Sequence, residues 1–161
     1  MVTLHRPDNV DQKSTLKKFI DNIIKYSLGL KVVFPMHPRT ENNFNQLDIN
    51  YKSLIKTGPL SYLEFNYLVS NSKAVITDSG GITEETTVLG VPCLTLRDNT
   101  ERPETITIGT NELIGTDPSK IEKPLKKIID GNWKKGGIPK YWDGKAAKRI
   151  VNHIYDIFAK K

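Results

Sequence analysis

The chain has 161 residues, of which 37% are hydrophobic and 26% charged, and its formal net charge is +6. That length fits one domain of ordinary size, and no apolar run approaches the ~20 residues that a membrane-spanning helix needs. The single cysteine, Cys93, excludes an internal disulfide bond and a cysteine-rich metal site. Polar sequence follows Met1 at once, so a signal peptide is not predicted. These features predict a soluble cytoplasmic protein.

The positive charge is concentrated near the end of the chain. Residues 120–161 carry 12 Lys and Arg against 4 Asp and Glu, a net charge of +8, whereas the rest of the chain carries 12 against 14. Such a region could contact nucleic acid or another anionic surface. Because no RNA- or DNA-binding motif accompanies the lysines, we favour the solvated side of amphipathic helices and predict no nucleic-acid partner.

Short apolar segments alternate with longer amphipathic ones along the chain. In chain order they predict a strand over residues 2–4, a loop over 5–9, a helix over 11–28, a strand over 31–35, a helix over 40–47, a strand over 53–57, a helix over 62–71, a strand over 74–77, a helix over 82–89, strands over 92–96 and 112–114, a helix over 118–130, a loop over 133–144 and a helix over 146–159. Thr40 is the expected cap of its helix, and Cys93 an expected core residue. The alternation predicts an α/β fold with a parallel sheet.

The loops that follow the first five strands are polar or contain glycine. In parallel sheets, ligands bind outside the carboxyl ends of the strands. We therefore expect these loops to meet on one rim of the sheet, where each adds to a shared site: residues 5–6, 37–39, 58–60, 78–81 and 97–102.

The turn from Asp78 to Gly81 is the strongest candidate for a ligand site. Ser79, Gly80 and Gly81 are small, so a ligand can approach the backbone closely. The first turn of the following helix offers free N–H groups and a partial positive charge, which together bind phosphate. The lysine of a P-loop and the Gly-x-Gly-x-x-Gly dinucleotide pattern are both missing from this turn. We expect a phosphorylated small molecule here, the alternative being a capped helix with no ligand.

Charged side chains near the predicted rim are further candidates. Glu84 and Glu85 follow the turn, and one of the two could accept hydrogen bonds from a ribose diol, although the residues alone do not distinguish them. His5, Arg6 and His37 stand at strand ends. There they could bind an anion or move a proton, or they could merely satisfy backbone carbonyls.

Arg102 and the aromatic residues are weaker candidates. Arg102 stands at an expected helix start, where it could reach a phosphate or form a salt bridge with Glu101 or Glu104. Tyr62 and Phe65 are of a type found in cores more often than under a nucleotide base. No two carboxylates have a spacing that singles them out as a catalytic pair.

Several of these segments also match known motifs. They are residues 3–9, 34–38, 77–85, 89–92 and 97–104, followed by Gly-Thr pairs at 109–110 and 115–116. Their order and spacing, which extend to about residue 127, resemble the C-terminal half of the non-hydrolysing UDP-N-acetylglucosamine 2-epimerases. The resemblance implies a Rossmann-like UDP-binding domain over residues 1–161, the second half of a GT-B fold, with a terminal helix from about residue 145 that crosses back to the other domain.

The resemblance also implies where the nucleotide lies. Ser79, Gly80 and Gly81 would hold the diphosphate, Glu85 would bind the ribose hydroxyls, and Arg102 would lie near the phosphates. The ligand would be UDP or a UDP-N-acetylhexosamine. In the family's reaction, UDP is eliminated to give 2-acetamidoglucal and then adds back after protonation of C2 on the other face. That chemistry needs no metal or redox cofactor.

Four further residues acquire roles from the same resemblance. Phe65 would lie near the uracil, while His5, Arg6 and His37 would face the cleft near the pyrophosphate and the sugar, with the two histidines as catalytic candidates. The resemblance places the principal acid and base carboxylates on an N-terminal domain that this sequence does not contain. Because proton transfer at C2 needs a positioned acid and base, we expect the chain alone to be inactive or nearly so.

Two departures and two alternatives qualify the resemblance. Asp8 stands where the family usually has glutamate, and Thr83 where it often has glutamine. These differences affect the exact position of the ligand more than the assignment to the family. A glycosyltransferase half-domain of the same fold would also bind a UDP-sugar at this rim. A non-catalytic UDP-binding module that engages a partner through its basic end is the second alternative. The face toward the other domain could also support a homodimer.

Overall fold

A computed structural model describes residues 1–159 of the chain. The strands are β1 (Val2–Thr3), β2 (Val32–Pro35), β3 (Leu54–Thr57), β4 (Val75–Thr77), β5 (Cys93–Thr95) and β6 (Asn111–Leu113). The helices are α1 (Pro7–Val10), α2 (Lys13–Tyr26), α3 (Pro38–Phe44), α4 (Tyr62–Ser70), α5 (Gly80–Leu89), α6 (Pro103–Thr107), α7 (Glu122–Ile129) and α8 (Ala146–Ala159), with a 3₁₀ turn over Pro118–Ile121 before α7.

All paired strands run parallel. One ladder joins β1, β4, β5 and β6 in that order, and a second joins β2 to β3. Since β2 also contacts β1, the strands follow the order β3-β2-β1-β4-β5-β6 of a doubly wound nucleotide-binding fold. The predicted α/β parallel sheet is confirmed, and the loops that follow the strands share one rim.

The core lies between the sheet and the apolar faces of its helices. Leu16, Phe19, Ile20 and Ile23, which share the predicted face of α2, are buried against the strands. In the same core, the rings of Phe34 in β2 and Phe44 in α3 meet edge to face, an arrangement that aromatic quadrupoles favour. Cys93 is fully buried, as predicted. This rigid layer holds the rim loops in place.

Three local predictions were wrong, and proline accounts for each difference. Residues 7–10 form α1 where a loop was predicted, because Pro7 is pre-organised for the first helical position. Pro38 likewise begins α3, so His37 caps that helix, and Thr40 is buried and donates to the Leu4 carbonyl at 2.6 Å. The helix predicted over 118–130 divides at residue 121, since Pro124 is tolerated only in a first turn and α7 starts at Glu122.

From residue 133 onward, the described chain consists of a loop held by hydrogen bonds and an exposed helix. Trp133 Nε1 donates to the Thr110 carbonyl at 2.8 Å, and Lys134 Nζ donates to the Ile106 carbonyl at 2.6 Å. In α8, every residue but Arg149 is exposed, including the apolar side chains at 150, 151, 154, 155, 157 and 158. Residues 160–161 of the predicted terminal helix lie outside the described part. Within residues 1–159, no helix combines the length and apolarity needed to cross a membrane.

Candidate functional site

The turn between β4 and α5 leaves backbone and hydroxyl groups open to a ligand. Ser79 has extended backbone angles and α5 begins at Gly80, yet the Ser79 side chain accepts no capping hydrogen bond. A Cβ added at Gly81 would meet no other atom of the described residues within 4 Å. The first turn of this ten-residue helix therefore has room for a ligand at Gly81, beside a Ser79 hydroxyl that has no hydrogen-bond partner among the described residues. This arrangement can hold an anionic group such as a phosphate.

Asp78, which the sequence analysis placed in the candidate turn but gave no role of its own, joins several polar groups of the rim. Its side chain is fully buried and accepts hydrogen bonds from the backbone N–H groups of His5 and Arg6 at 3.0–3.2 Å. The Asn9 side-chain amide donates to it at 3.1 Å, and Arg6 Nε donates to the Asp78 backbone carbonyl at 2.9 Å. Asp78 thus ties the end of β1 to the phosphate-binding turn. Its place directly after a buried strand and before Ser79 was the signal for this role.

Asp78 also contacts the ring of His5. The distance from His5 Nδ1 to Asp78 Oδ1 is 3.0 Å. The hydrogen bond to Asp78 raises the pKa of His5, although partial burial of the ring opposes the shift. For Asp78, burial alone would raise the pKa, but the hydrogen bonds from His5, Arg6 and Asn9 outweigh it and the pKa is lowered. The pair therefore favours an ionised carboxylate beside a histidine that protonates readily.

His37 and Phe65 meet His5 at the same cleft. The ring centroids of His5 and His37 are 6.5 Å apart, and His37 Nδ1 accepts a hydrogen bond from the Arg39 N–H at 3.3 Å. The cleft has a volume of about 320 Å³, and its other walls include Leu60, Phe65 and Ile82. The predicted rim loops that follow the first three strands thus come together around an apolar cleft lined by two imidazoles.

A buried arginine, Arg97, lies beside the start of α5. The sequence analysis placed it in a rim loop but gave it no role of its own. It donates two hydrogen bonds to Glu101 at 2.8 and 2.9 Å and one to Asn99 at 3.1 Å. A Cβ at Gly80 would lie 3.4 Å from the Glu101 carboxylate and 3.5 Å from the Arg97 guanidinium. The Arg97 hydrogen bonds lower the pKa of Glu101 to about 2. The signal was an arginine that directly follows an apolar strand.

Glu85 and Arg102 line a second cavity, of about 740 Å³, on the other side of α5. Arg102 pairs there with Glu84, and not with Glu101 or Glu104 as the alternative interpretation expected. Glu85 Oε2 is buried without a hydrogen-bond partner in the described residues. Burial, and secondarily the charge of Glu84, raises the pKa of Glu85. Of the two adjacent glutamates, Glu85 therefore keeps an unengaged carboxylate oxygen.

The predicted site residues thus form two groups linked by α5. His5, His37 and Phe65 line the first cleft, whereas Glu85 and Arg102 line the second cavity. Arg6 and the Ser79–Gly81 turn are joined to His5 through Asp78, which accepts from the His5 and Arg6 N–H groups and directly precedes Ser79. Ile82 faces the first and Glu85 the second, so one helix borders both. Among residues 1–159, His, Cys, Asp and Glu side chains form no cluster of three that could hold a metal ion. The arrangement suits an extended anionic ligand laid across the start of α5.

Known proteins share this fold and these motifs. Residues 1–155 match the family model described as UDP-N-acetylglucosamine 2-epimerase. The enzyme of that name from Methanocaldococcus jannaschii is 40% identical over 161 aligned residues, which cover 94% of this chain and 43% of that protein. Its crystal structure in complex with UDP-GlcNAc and UDP superposes with a TM-score of 0.79 at 38% identity and covers 96% of this chain and 44% of the solved one.

A second solved structure agrees with the first. The UDP-GlcNAc 2-epimerase from Neisseria meningitidis, bound to UDP-GlcNAc, is 32% identical with a TM-score of 0.80 and covers 96% of this chain and 44% of that one. The chain therefore spans less than half the length of the relatives it matches. The shared motifs, the parallel strand order and the family match agree. The chain belongs to the UDP-N-acetylglucosamine 2-epimerase family, as the C-terminal, Rossmann-like half of a GT-B fold.

Proposed function

We propose that this chain is the nucleotide-binding half of an enzyme that interconverts UDP-N-acetylglucosamine and UDP-N-acetylmannosamine by elimination and re-addition of UDP. The observation that carries the proposal is the open backbone at Gly81, beside the free Ser79 hydroxyl at the start of α5. The family match, and the UDP and UDP-GlcNAc bound to the related M. jannaschii structure, support the choice of ligand.

The diphosphate would bind at residues 79–81. Backbone N–H groups at the start of α5 and the Ser79 hydroxyl would donate to its oxygens, and the partial positive charge of the helix terminus would favour its negative charge. Gly80 and Gly81 would let the phosphates approach the backbone without steric hindrance. Arg6 would add positive charge, because its guanidinium donates a hydrogen bond to the Asp78 carbonyl at the start of this turn.

The nucleoside would lie across α5. Glu85 lines the second cavity, where its carboxylate would accept hydrogen bonds from the ribose hydroxyls. Phe65, in the wall of the first cleft, would contact the uracil. Arg102 would turn from Glu84 toward the phosphate region when the ligand adds negative charge. No metal or redox cofactor takes part in this proposal.

His5 and His37 would contact the reacting end of the ligand. Both line the first cleft, with ring centroids 6.5 Å apart, and His5 contacts Asp78, the residue that directly precedes the Ser79–Gly81 turn. When the bond between C1 and the diphosphate oxygen breaks, its electron pair stays on the diphosphate, and donors placed there stabilise the added charge. Abstraction and return of the C2 proton would depend on carboxylates outside this chain.

The other half of the active site would come from additional polypeptide. Related structures are more than twice as long as the part that this chain covers. The apolar face of α8 packs against nothing else in residues 1–159. We propose that residues 1–161 form a single UDP-binding domain and that the helix from about residue 145 packs against the N-terminal domain. A cleft with only one wall would not exclude water from the glucal intermediate, so the chain alone would have little or no activity.

Calorimetric titration and a product assay test the proposal. UDP should bind the chain at one site, whereas uridine, which has no diphosphate, should bind far more weakly. Addition of the N-terminal half of a family member should then restore formation of UDP-N-acetylmannosamine. UDP binding without restored turnover would favour a non-catalytic module, and sugar transfer to an acceptor would favour a glycosyltransferase. Epimerisation by the chain alone at an ordinary enzymatic rate would contradict the shared active site.

Two further predictions concern the surroundings of the protein. Cytoplasmic location stays a prediction from the sequence and is checked by cell fractionation. A homodimer stays a prediction as well, for which the exposed apolar face of α8 offers one surface. Sedimentation of the chain with and without an N-terminal half would distinguish self-association from cover by the other domain.

A further inference from the structure

We propose that Asp78 is a positioning residue that holds His5 by Nδ1, so that Nε2 is the nitrogen that donates to the diphosphate. The inference rests on the proposed function, because it assumes the diphosphate at residues 79–81. It adds a role for a buried carboxylate that does not itself face the ligand. The arguments concern the place of Asp78, the chemistry of the imidazole and the charges around it.

The place of Asp78 allows it to orient a ring without contact to solvent. Its carboxylate is fully buried, and two of its bonds come from the backbone N–H groups of His5 and Arg6, which fix the oxygens relative to the end of β1. Asn9 braces the same carboxylate at 3.1 Å and also donates to the Leu96 carbonyl at 3.2 Å. A buried carboxylate with these donors cannot rotate freely, so its contact with the His5 ring has a defined direction.

The chemistry of imidazole then determines which nitrogen reaches the ligand. Asp78 Oδ1 lies 3.0 Å from His5 Nδ1, and a carboxylate only accepts, so Nδ1 carries a proton. Nε2 has no hydrogen-bond partner in residues 1–159, and 43% of the His5 side chain is exposed at the cleft. When His5 is protonated, Nε2–H becomes a charged donor, the kind of group that binds a phosphate oxygen well.

The charges around His5 favour that protonated form. Asp78 approaches it from the turn before α5, Arg6 follows it in the chain, and the His37 ring approaches from the turn before α3. Arg6 and partial burial lower the pKa of His5, but the hydrogen bond to Asp78 is the largest influence and the pKa is raised. A bound diphosphate would add negative charge on the Nε2 side and raise it further.

Nitrogen NMR of the three histidines tests this inference on the native chain before any variant is needed. We expect neutral His5 to carry its proton on Nδ1, while neutral His37, whose Nδ1 accepts from Arg39, carries it on Nε2. His5 should protonate at a pH above the ordinary histidine value of 6.5. His5→Asn, His37→Asn and His153→Asn variants assign the signals. A neutral His5 protonated on Nε2, or a His5 that titrates at or below 6.5, would overturn the inference.

UDP and an Asp78→Asn variant complete the test. UDP should raise the titration midpoint of His5, and His5→Gln should weaken UDP binding about tenfold, the loss of one charged hydrogen bond. A folded Asp78→Asn chain should lose the Nδ1 preference; if it fails to fold, the native signals decide. UDP binding with the wrong tautomer refutes only the positioning role. The expected tautomer without UDP binding refutes the proposed function and the donor role together.

Discussion

The guanidinium of Arg97 holds the carboxylate of Glu101 through two hydrogen bonds of 2.8 and 2.9 Å, immediately beside Gly80 at the start of α5. The arginine is buried and the glutamate is exposed, so the pair connects the end of β5 to the surface of the phosphate-binding turn. Because the geometry is bidentate, Lys could not replace Arg97 without loss of a bond.

This pair predicts a defined response to acid. The pKa of Glu101 lies at about 2 in the folded chain against an ordinary value of 4.5. A lowered pKa means that the unfolded chain binds the proton more readily, so the pair's contribution is full above pH 4.5 and is lost as the pH falls toward 2. Thermal unfolding of the native chain should therefore depend more steeply on pH across that interval than unfolding of Glu101→Gln. Equal slopes would contradict the pairing.

Gly81 should tolerate a side chain in the free protein but not in the complex. Since a Cβ there meets open space, Gly81→Ala should keep or raise stability, by roughly 0.5–1 kcal/mol as for a helical Gly→Ala change. The added methyl group should nevertheless obstruct the diphosphate and weaken UDP binding tenfold or more, about 1.4 kcal/mol. Calorimetry with UDP and thermal unfolding separate the two effects. Gly137→Ala, which makes an ordinary contact at 3.6 Å, is the control.

Glu85 and Glu84 form a matched pair of variants. Glu85→Gln should weaken UDP binding, because the ribose hydroxyls lose a charged acceptor, whereas Glu84→Gln keeps that acceptor and frees Arg102. The raised pKa of Glu85 means that the folded chain binds this proton more readily than the unfolded chain. Its ionised carboxylate therefore costs stability as the pH rises above 4.5, and Glu85→Gln should remove that cost. A larger loss of UDP affinity in Glu84→Gln would contradict the assignment.

Gly136 and Gly137 offer a test of how the loop after α7 is held. A Cβ on Gly136 would lie 2.6 Å from Thr110 Cγ2 and 2.9 Å from the Thr110 backbone nitrogen, whereas one on Gly137 meets its nearest atom at 3.6 Å. Gly136→Ala should therefore cost about 1–3 kcal/mol through overpacking, and Gly137→Ala very little. Denaturant unfolding of the two variants measures the difference. Equal stability would mean that the loop does not pack against the Thr110 backbone.

Cys93 should resist thiol reagents in the folded chain. Burial raises the pKa of its thiol to about 11, so very little thiolate is present near neutral pH. Iodoacetamide should label the denatured chain rapidly and the native chain only as fast as it unfolds. Rapid labelling of the native chain would show that β5 is accessible and would contradict its place in the core.

Much of the fold follows from local pattern. Apolar runs such as residues 31–35 and 74–77 are too short for helices and too apolar for loops, which leaves buried parallel strands. The predicted helix bounds were wrong where proline, and not the spacing of apolar residues, determines where a helix begins. Pro7 and Pro38 begin helices, and Pro124 divides one. Gly90, with a φ of 69°, ends α5 where the sequence predicted it.

The sequence by itself determined the parallel α/β architecture, the family, and the rim on which the polar loops meet, because strand direction and loop order follow from hydrophobic period and chain order. Only the tertiary structure decided which polar atoms are engaged. His5 and Asp78 are separated by 73 positions, and Arg102 and Glu84 by 18, so no local pattern records their contact. Burial and distance in the folded chain leave the Glu85 carboxylate, the Ser79 hydroxyl and Nε2 of His5 without a hydrogen-bond partner among residues 1–159, and those quantities exist only after the chain has folded.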